Sequence, residues 1–414
     1  MVAISGNVKA QQVLTLQDFL SKVEKNNPEI LAGKKQVASK EAMRKAAGGW
    51  EDPMGMFGLE RMPTTYPAPG SSNIFVEDEL YAKNIGISQK LPIFGTLRQR
   101  KKIAGQEKIE AEFALRATRL ERLAEAKKAY YEWARLQKDR HLLERAYLVW
   151  ERLVGQTQTA YAKAQGEHHA YLRAQVELVK VEAEKLENAE ALKRIAARLN
   201  FLAGEALAAE NLAAEPLRQE AEGGLILDSA VRLAEQYNPE IKMFSAAEER
   251  VRFEKSLTAK GYFPDLELSL YRDQQIDHFM PSQLMNVYGG RVSFRLPFFF
   301  WTTRSKEVQG KSLEAERALA LRKNMENQIR AEVEMFWAEI ERLEKLVRLY
   351  KEELLPRAQL LVEEGQTAYT VGRLSFPDFS EAQLEQIDLE RKYYGFLADF
   401  WKAKAELEKT VGLE

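Results

Sequence analysis

The 414 residues are 45% hydrophobic and 30% charged, so disorder is not expected, and a net charge of −1 gives no global pull toward nucleic acid. The absence of cysteine excludes disulfides, thiolate metal sites, cysteine nucleophiles and lipid attachment through an N-terminal cysteine. Four histidines (His141, His168, His169, His278) are too few and scattered for a metal cage, and no apolar run approaches the roughly 18 to 20 residues of a membrane-spanning helix, which leaves a β-barrel open.

In chain order, Met1–Gln12 lacks a basic start followed by an apolar block, so no leader is expected there. Leu16–Gly48 reads as a helix with Thr15 as a cap and a break at the proline of NNPE. Asp52–Arg61 is a weak strand. A loop rich in Pro, Gly and Ser follows (Met62–Ala82), then a clearer strand at Lys83–Pro92. From Leu97 to Ala164 there is no proline, and glycine stands only at Gly105 and Gly155. A helix of that length is on the order of 100 Å long at about 1.5 Å per residue. Gly155–Tyr171 is read as a helix–turn–helix tip, and Ala206–Gly224 as a link. Asp228 is expected to cap the next helix, which YNPE should again break. Strands follow at Pro264–Asp273 and Asn286–Pro297, around a loop at Gln274–Met285. The last long helix runs from Thr303 to Leu355. Its apolar stripe is Val333, Phe336, Trp337, Ile340, Leu343, Leu346, Val347 and Tyr350. A second tip is read at Gly365–Ser380.

The chain repeats itself. LTLQDFLSKVEKNNPEI (Leu14–Ile30) matches LILDSAVRLAEQYNPEI (Leu225–Ile241), 211 residues on. Pro53 and Pro264 keep that spacing. GISQKLPIF (Gly86–Phe94) matches GRVSFRLPFF (Gly290–Phe299), and AYAKAQGEHHAYLRAQ (Ala160–Gln175) matches AYTVGRLSFPDFSEAQ (Ala368–Gln383). Four landmarks in the same order indicate duplication of a strand-and-long-helix unit.

The strands alternate with period two, as membrane strands do. Leu266, Leu268, Leu270, Val292, Phe294 and Leu296 form one face and are assigned to lipid. Glu60, Lys90, Glu267, Arg291 and Arg295 are assigned to a lumen, with Met54 and Met56 also inward. Gln89 interrupts the apolar side. Four strands cannot close a barrel, which needs about eight, and open edges are costly in lipid. Other copies must therefore complete the sheet. Helix evidence alone does not reject the alternative, a soluble coiled-coil scaffold or adaptor carrying two hairpins.

At the two NPE(I) helices, the GISQKLPIFGTLR and VSFRLPFFFWTTR strand-to-helix junctions and the paired AQ turns, the chain resembles the TolC-like outer-membrane efflux proteins. DPMGMFGLERMP is more like the heavy-metal (Cus/Czc-type) branch. The resemblance implies a mainly α chain with membrane β: a homotrimer whose 12-stranded β-barrel continues into a long periplasmic α-helical barrel. Its implied partners are a periplasmic adaptor, an inner-membrane RND-type pump and outer-membrane lipid, and its role is passive conduction without chemistry. On this template the parts are an equatorial segment and first helix (1–51), a barrel hairpin (52–93), a periplasmic helical hairpin (94–205), an equatorial linker (206–227), a helix (228–263), a second barrel hairpin (264–298) and a second helical hairpin with the chain end (299–414).

The resemblance also places pore-constricting acids at Asp378 and Glu381, whose first-copy counterparts are Ala170 and Arg173. Three residues apart on a helix, the two acids share a face. Three copies would ring the axis with carboxylates and favour cations. The bland reading is that Asp378 caps the helix, and Pro377 could shift its start. His168–His169 reads as a solvated turn, not a metal site. Met54 and Met56 read as packing residues before soft-metal ligands. Tyr271, Tyr288 and Phe298–Trp301 fit an interfacial belt, or else a core cluster. No cofactor, resident metal or catalytic constellation is read from the sequence.

Overall fold

The computed structural model describes residues 12–60, 82–92, 94–163, 168–207, 212–218, 226–276 and 284–413. The first inter-strand loop, most of the second, much of the link, the middle of the first tip, His278 and the Glu60 side chain lie outside the described residues. Contacts divide the chain into two units. One combines Met1–Gln36, Phe113–Lys242 and Asn324–Glu414; the other combines Val37–Glu112 and Met243–Lys323.

Two copies of one element order follow each other. The first is β1 (Gln12–Leu14), α1 (Leu16–Asn26), α2 (Pro28–Ala46), β2 (Met54–Glu60), β3 (Ala82–Leu91), α3 (Thr96–Ala162) and α4 (His168–Ala203). The second is β4 (Leu212–Ala214), α5 (Leu227–Tyr237), α6 (Pro239–Ala259), β5 (Asp265–Ile276), β6 (Leu284–Arg295), α7 (Arg304–Leu349), α8 (Leu355–Thr370) and α9 (Phe376–Val411). Among the described residues, no helix is long and apolar enough to cross a membrane.

The NPE strings are joints. Asn27 breaks α1 from α2, and its Oδ1 accepts the N–H groups of Glu29 and Ile30 at 3.0 and 3.4 Å. Its Nδ2 donates to the Leu202 carbonyl in the last turn of α4. Asn238 does the same between α5 and α6, accepting from Glu240 and Ile241 and donating to the Thr410 carbonyl of α9. Each asparagine caps a helix start while satisfying an orphan carbonyl at another helix end. A glycine with positive φ ends the partner helix in both copies: Gly204 (φ 66°) and Gly412 (φ 82°). A Cβ there would stand 2.6 Å from the Asn26 oxygen or 2.7 Å from the Tyr237 oxygen, so only glycine fits. Asp228 does not cap α5. The cap is Ile226, without a side-chain hydrogen bond, and Asp228 lies in the first turn. Favourable charge there suits the helix dipole without capping.

Two matched cores sit against these joints. Phe19 and Val23 of α1 pack with Tyr130 and Trp133 of α3 and with Leu199 and Leu202 of α4. Ala230 and Ala234 of α5 pack with Ile329 and Val333 of α7 and with Leu407 and Val411 of α9. The second core substitutes alanines for Phe19 and Val23, so the copies share a plan but not a volume.

The copies also differ along their long helices. α3 runs 67 residues unbroken. Its counterpart does not end near Leu355. It passes through one π turn at Tyr350–Leu354 and continues as α8, with Pro356 near the start of that helix. Proline removes one intrahelical donor, and a wider turn accommodates the missing bond.

There are two sheets. β1 and β4 pair in parallel over three residues each, too short to be read from sequence. β2, β3, β5 and β6 form a four-stranded antiparallel sheet in that spatial order.

Candidate functional site

The register of the four-stranded sheet decides which side chains share a face. Residues directly opposite on neighbouring strands point the same way. One set of rows is Leu91–Leu266–Phe294, Gln89–Leu268–Val292, Gly55–Ile87–Leu270–Gly290 and Phe57–Ile85–Arg272–Tyr288. These rows span six residues, about 20 Å of strand. The next row on that face, Leu59–Lys83–Gln274–Asn286, is polar except at Leu59. At the boundary Arg272 donates through Nε and Nη2 to Asn286 Oδ1, at 3.1 and 2.7 Å, and lies over the Tyr288 ring. A long cation at the band's edge can thus point its head away from the apolar rows. Leu266, Leu268, Leu270, Val292 and Phe294 therefore share one face; Leu266 is half-buried and the others are exposed. Leu296 lies just past β6 and is exposed.

The opposite face carries Lys90–Glu267–Ser293, Met54–Ser88–Ser269–Arg291, Met56–Gly86–Tyr271–Gly289 and Gly58–Asn84–Asp273–Val287. By the same parity Asp265–Arg295 and the backbone position of Glu60 belong here. Lys90 pairs with Glu51 at 3.5 Å. Met54 and Met56 stand two apart on this face, both exposed. Among the described residues, no group of three or more His, Asp or Glu side chains is placed to hold a metal ion.

Tyr271 is a correction. The sequence pattern groups it with Tyr288 in a belt, but the register puts it on the polar face, opposite Gly86 and Gly289. Its ring lies across Gly289, where a Cβ would stand 2.4 Å from Tyr271 Cζ. Arg291 covers the ring at 5.4 Å. Gly86, on the other side, leaves only 3.2 Å between an added Cβ and Tyr271 Cβ. The glycines make room for the ring, and the cation is held over its negative face. Two glycines flanking an aromatic across strands are the signal, and it becomes visible only once the register is known.

Phe298, Phe299, Phe300 and Trp301 are exposed, so they are not a core cluster. Phe300 meets Trp301 edge-on at 5.2 Å and Tyr262 at 6.1 Å. In the first copy Phe94 stacks on Phe263 at 4.6 Å.

The two tips belong to the helical unit. At the second, α8 ends at Thr370 and Gly372 turns with φ 75°. Ser375, not Asp378, caps α9: its Oγ accepts the Asp378 N–H at 3.3 Å and donates to Asp378 Oδ2 at 2.6 Å. Pro377 sits inside the first turn, where its missing N–H costs nothing, so the start is not displaced. Thr15 and Asp18 make the same reciprocal pair at α1. Asp378 and Glu381 are both exposed, one turn apart. Behind them Tyr369 stacks on Phe379 at 5.7 Å. At the first tip His168 and His169 are exposed, and His168 lies between the rings of Tyr161 and Tyr171.

Sequence reasoning missed the joint between the hairpins. Arg391 of α9 reaches Asp139 of α3 at 2.6 Å and Glu184 of α4 at 2.7 Å. Arg145 of α3 pairs with Glu390 at 2.8 Å. Asn188 of α4 donates to the Leu136 carbonyl and to Asp139.

Residues 19–205 match the family model described as outer membrane efflux protein. No curated protein matches the chain by sequence. Solved structures share the fold at low identity. VceC, an outer membrane protein of Vibrio cholerae, has a TM-score of 0.76 at 16% identity, over 96% of each chain. A membrane protein of Pseudomonas aeruginosa has 0.79 at 15%, over 96% of this chain and 90% of its own. CusC, described for transmembrane channel formation, has 0.73 at 13%, over 96% and 92%.

Proposed function

We propose that this chain, which belongs to the outer membrane efflux protein family, is one of three identical wall segments of an outer-membrane exit duct. The observation that carries the reading is the four-stranded sheet. It has an apolar exposed face about 20 Å tall, a polar opposite face, and edges at β2 and β6 beside which no other strand of the described residues lies. Such a sheet is stable in a bilayer only when its edges are paired, and four strands are too few to curl shut. Three copies supply twelve strands, with Leu268, Leu270, Val292 and Phe294 toward lipid. Lys90, Glu267, Arg291 and Arg295 then line the lumen, as does Glu60 by its strand parity. The helical hairpins extend the conduit into the periplasm, toward an adaptor and an RND-type pump that supply the energy.

The duct performs no bond chemistry. Its residues exclude lipid, hold water in the lumen and bias which ions pass. Asp378 and Glu381, repeated three times at the tip, are the proposed constriction, and carboxylate rings favour cations. Metal cations are the cargo class to test first, on the strength of the Asp52–Pro63 string alone.

The absence of native cysteine makes assembly directly testable. Phe57→Cys in β2 is combined in turn with Tyr288→Cys, Gly290→Cys and Val292→Cys in β6, all on one face. Oxidation in membranes should link copies into a covalent trimer through one of the three pairs. A chain that remains a monomer, soluble without detergent, would sink the duct reading. For the constriction, Asp378→Ala with Glu381→Ala should lower cation preference in planar bilayers. Unchanged selectivity removes the acids from that role.

A further inference from the structure

Where the four-stranded sheet meets its helices, the chain turns aromatic and then basic. Exposed rings stand at each junction: Trp50 before β2, Phe94 after β3, Phe263 before β5 and Phe298–Trp301 after β6. Phe94 and Phe263 stack at 4.6 Å and tie the start of α3 to the end of α6. They follow directly on the last apolar row before the helices, Leu91–Leu266–Phe294. Exposed rings in that position mark where hydrocarbon gives way to headgroups. The stretches around and beyond them carry one sign of charge. Phe94–Gln106, Lys255–Pro264 and Phe298–Lys306 together hold eight Lys and Arg and no Asp or Glu, in a chain whose totals are 61 and 62.

Helix geometry sorts these cations by side. Arg100 of α3 bonds Glu51 at 3.3 Å, and Glu51 also pairs with Lys90 on the face proposed to line the lumen. Arg100 therefore marks the lumen side of α3. At about 100° per residue, Arg98 and Lys102 both lie about 160° from it, on the outward side. Both are exposed. α6 runs antiparallel beside them. Lys102 Nζ lies 4.9 Å from the centre of the Phe253 ring, Gln99 donates to the Phe253 carbonyl at 3.0 Å, and Lys260 Nζ bonds the Phe94 carbonyl at 2.5 Å. The nearby carboxylates are already engaged, Glu254 by Arg250 and Lys311 and Glu307 by Arg304.

We propose that the outward groove between α3 and α6 holds the phosphate of an anionic phospholipid of the periplasmic leaflet, through Arg98, Lys102 and Lys260. The proposal rests on the membrane reading above and adds a lipid to it. The depth fits: a headgroup layer is about 5–7 Å thick on each side of the hydrocarbon. At about 1.5 Å per residue, Arg98 stands about 4 Å below Gly95 and Lys102 about 10 Å below it. Cα–Cβ bonds tilt toward a helix N-terminus, and α3 begins at the sheet, so both long side chains lean back toward the headgroups. The Phe94–Phe263 stack offers the acyl chain an apolar wall beside the cations.

Trp50 and Trp301 report the site in reconstituted trimers, because brominated acyl chains quench tryptophan at the lipid boundary. Brominated phosphatidylglycerol should be preferred over brominated phosphatidylcholine by about fivefold or more, the scale of one or more cations acting near an anionic surface. Arg98→Gln with Lys102→Gln should lower that preference below twofold. Lys193→Gln with Arg194→Gln, exposed on α4 and equal in charge removed, should leave it unchanged. A wild-type trimer without preference, or a preference that survives Arg98→Gln with Lys102→Gln, overturns the site and leaves the duct standing. Should that double variant fail to assemble, Arg98→Gln and Lys102→Gln are read singly: a loss of preference in either supports the site, and none in both overturns it. A chain that enters no vesicle fails the duct reading itself.

Discussion

In the small sheet, the outer edge of β4 ends at a side chain. The Gln137 amide donates to the Leu212 carbonyl and accepts the Ala214 N–H, both at 2.9 Å, as a third strand would. Tyr130 donates to the Leu14 carbonyl of β1 at 2.7 Å and accepts the Glu215 N–H at 3.0 Å. In the four-stranded sheet, the twelve residues of β6 and the seven of β2 form edges with no neighbouring strand among the described residues. Unpaired edges are templates for another chain, and natural sheets blunt those they do not use. One chain thus holds both treatments. The edge blunted by side chains marks a sheet finished within the subunit, and the open edge is the one that the proposed trimer would complete.

The largest effect should come from breaking the face that the open sheet presents. Leu268→Arg or Leu270→Arg, near the middle of the apolar rows, should each cost about 2–4 kcal/mol of barrel stability. Phe294→Arg, nearer the strand end, should cost less. Arg291→Leu on the opposite face should leave assembly intact. The yield of heat-modifiable trimer reads all four. Equal losses on both faces would mean that neither face meets lipid.

A smaller loss tests how the same sheet is held together internally. Gly289→Ala drives a methyl into the Tyr271 ring and should cost about 1–3 kcal/mol by overpacking. In a Tyr271→Ala background the same change should be nearly neutral, so a double-mutant cycle isolates the contact. A cost that persists without the ring would point to backbone strain instead.

The parts readable from sequence were those with a local period. Alternation at Leu266–Leu270 and Val292–Leu296 marked two strands, and the spacing of Val333 to Tyr350 marked a helix. The NNPE and YNPE breaks were readable because proline acts on its own neighbours. What escaped depends on partners distant in the chain. Gln137 caps a strand some 75 residues on, and a glutamine in a long helix otherwise looks solvated. Gly289 faces Tyr271 only in one register. The Asn27 and Asn238 side chains were legible neither as caps nor as bonds to Leu202 and Thr410; only the proline breaks beside them were. The proposed acids Asp378 and Glu381 came from resemblance; geometry adds that Ser375 supplies the cap and donates its hydroxyl to Asp378 Oδ2.

On the finished sheet, Gln137→Ala should cost about 1–2 kcal/mol, because two strand groups lose a partner and only partial hydration replaces it. The amide of Ala214 should exchange at least tenfold faster, while trimer yield stays unchanged. Leaving Ala214 protected would show that the cap is redundant with the β1 pairing.

The subtlest test uses the other cap. Burial pushes the Tyr130 hydroxyl up to about 12, since a phenolate there would lose water and face the Leu14 carbonyl. The sign follows from proton counting. Between pH 10 and 12 the unfolded chain has released this proton and the folded chain keeps it, so stability falls as pH rises. The slope is at most about 1.4 kcal/mol per pH unit for one group. Tyr130→Phe deletes that contribution and costs about 1 kcal/mol at neutral pH through the lost hydrogen bonds. Plotted against pH, the wild-type and Tyr130→Phe stabilities should therefore converge above pH 10. Parallel curves would show that the phenol titrates normally, and that β1 is held by the Phe19–Tyr130 packing and not by a buried hydroxyl.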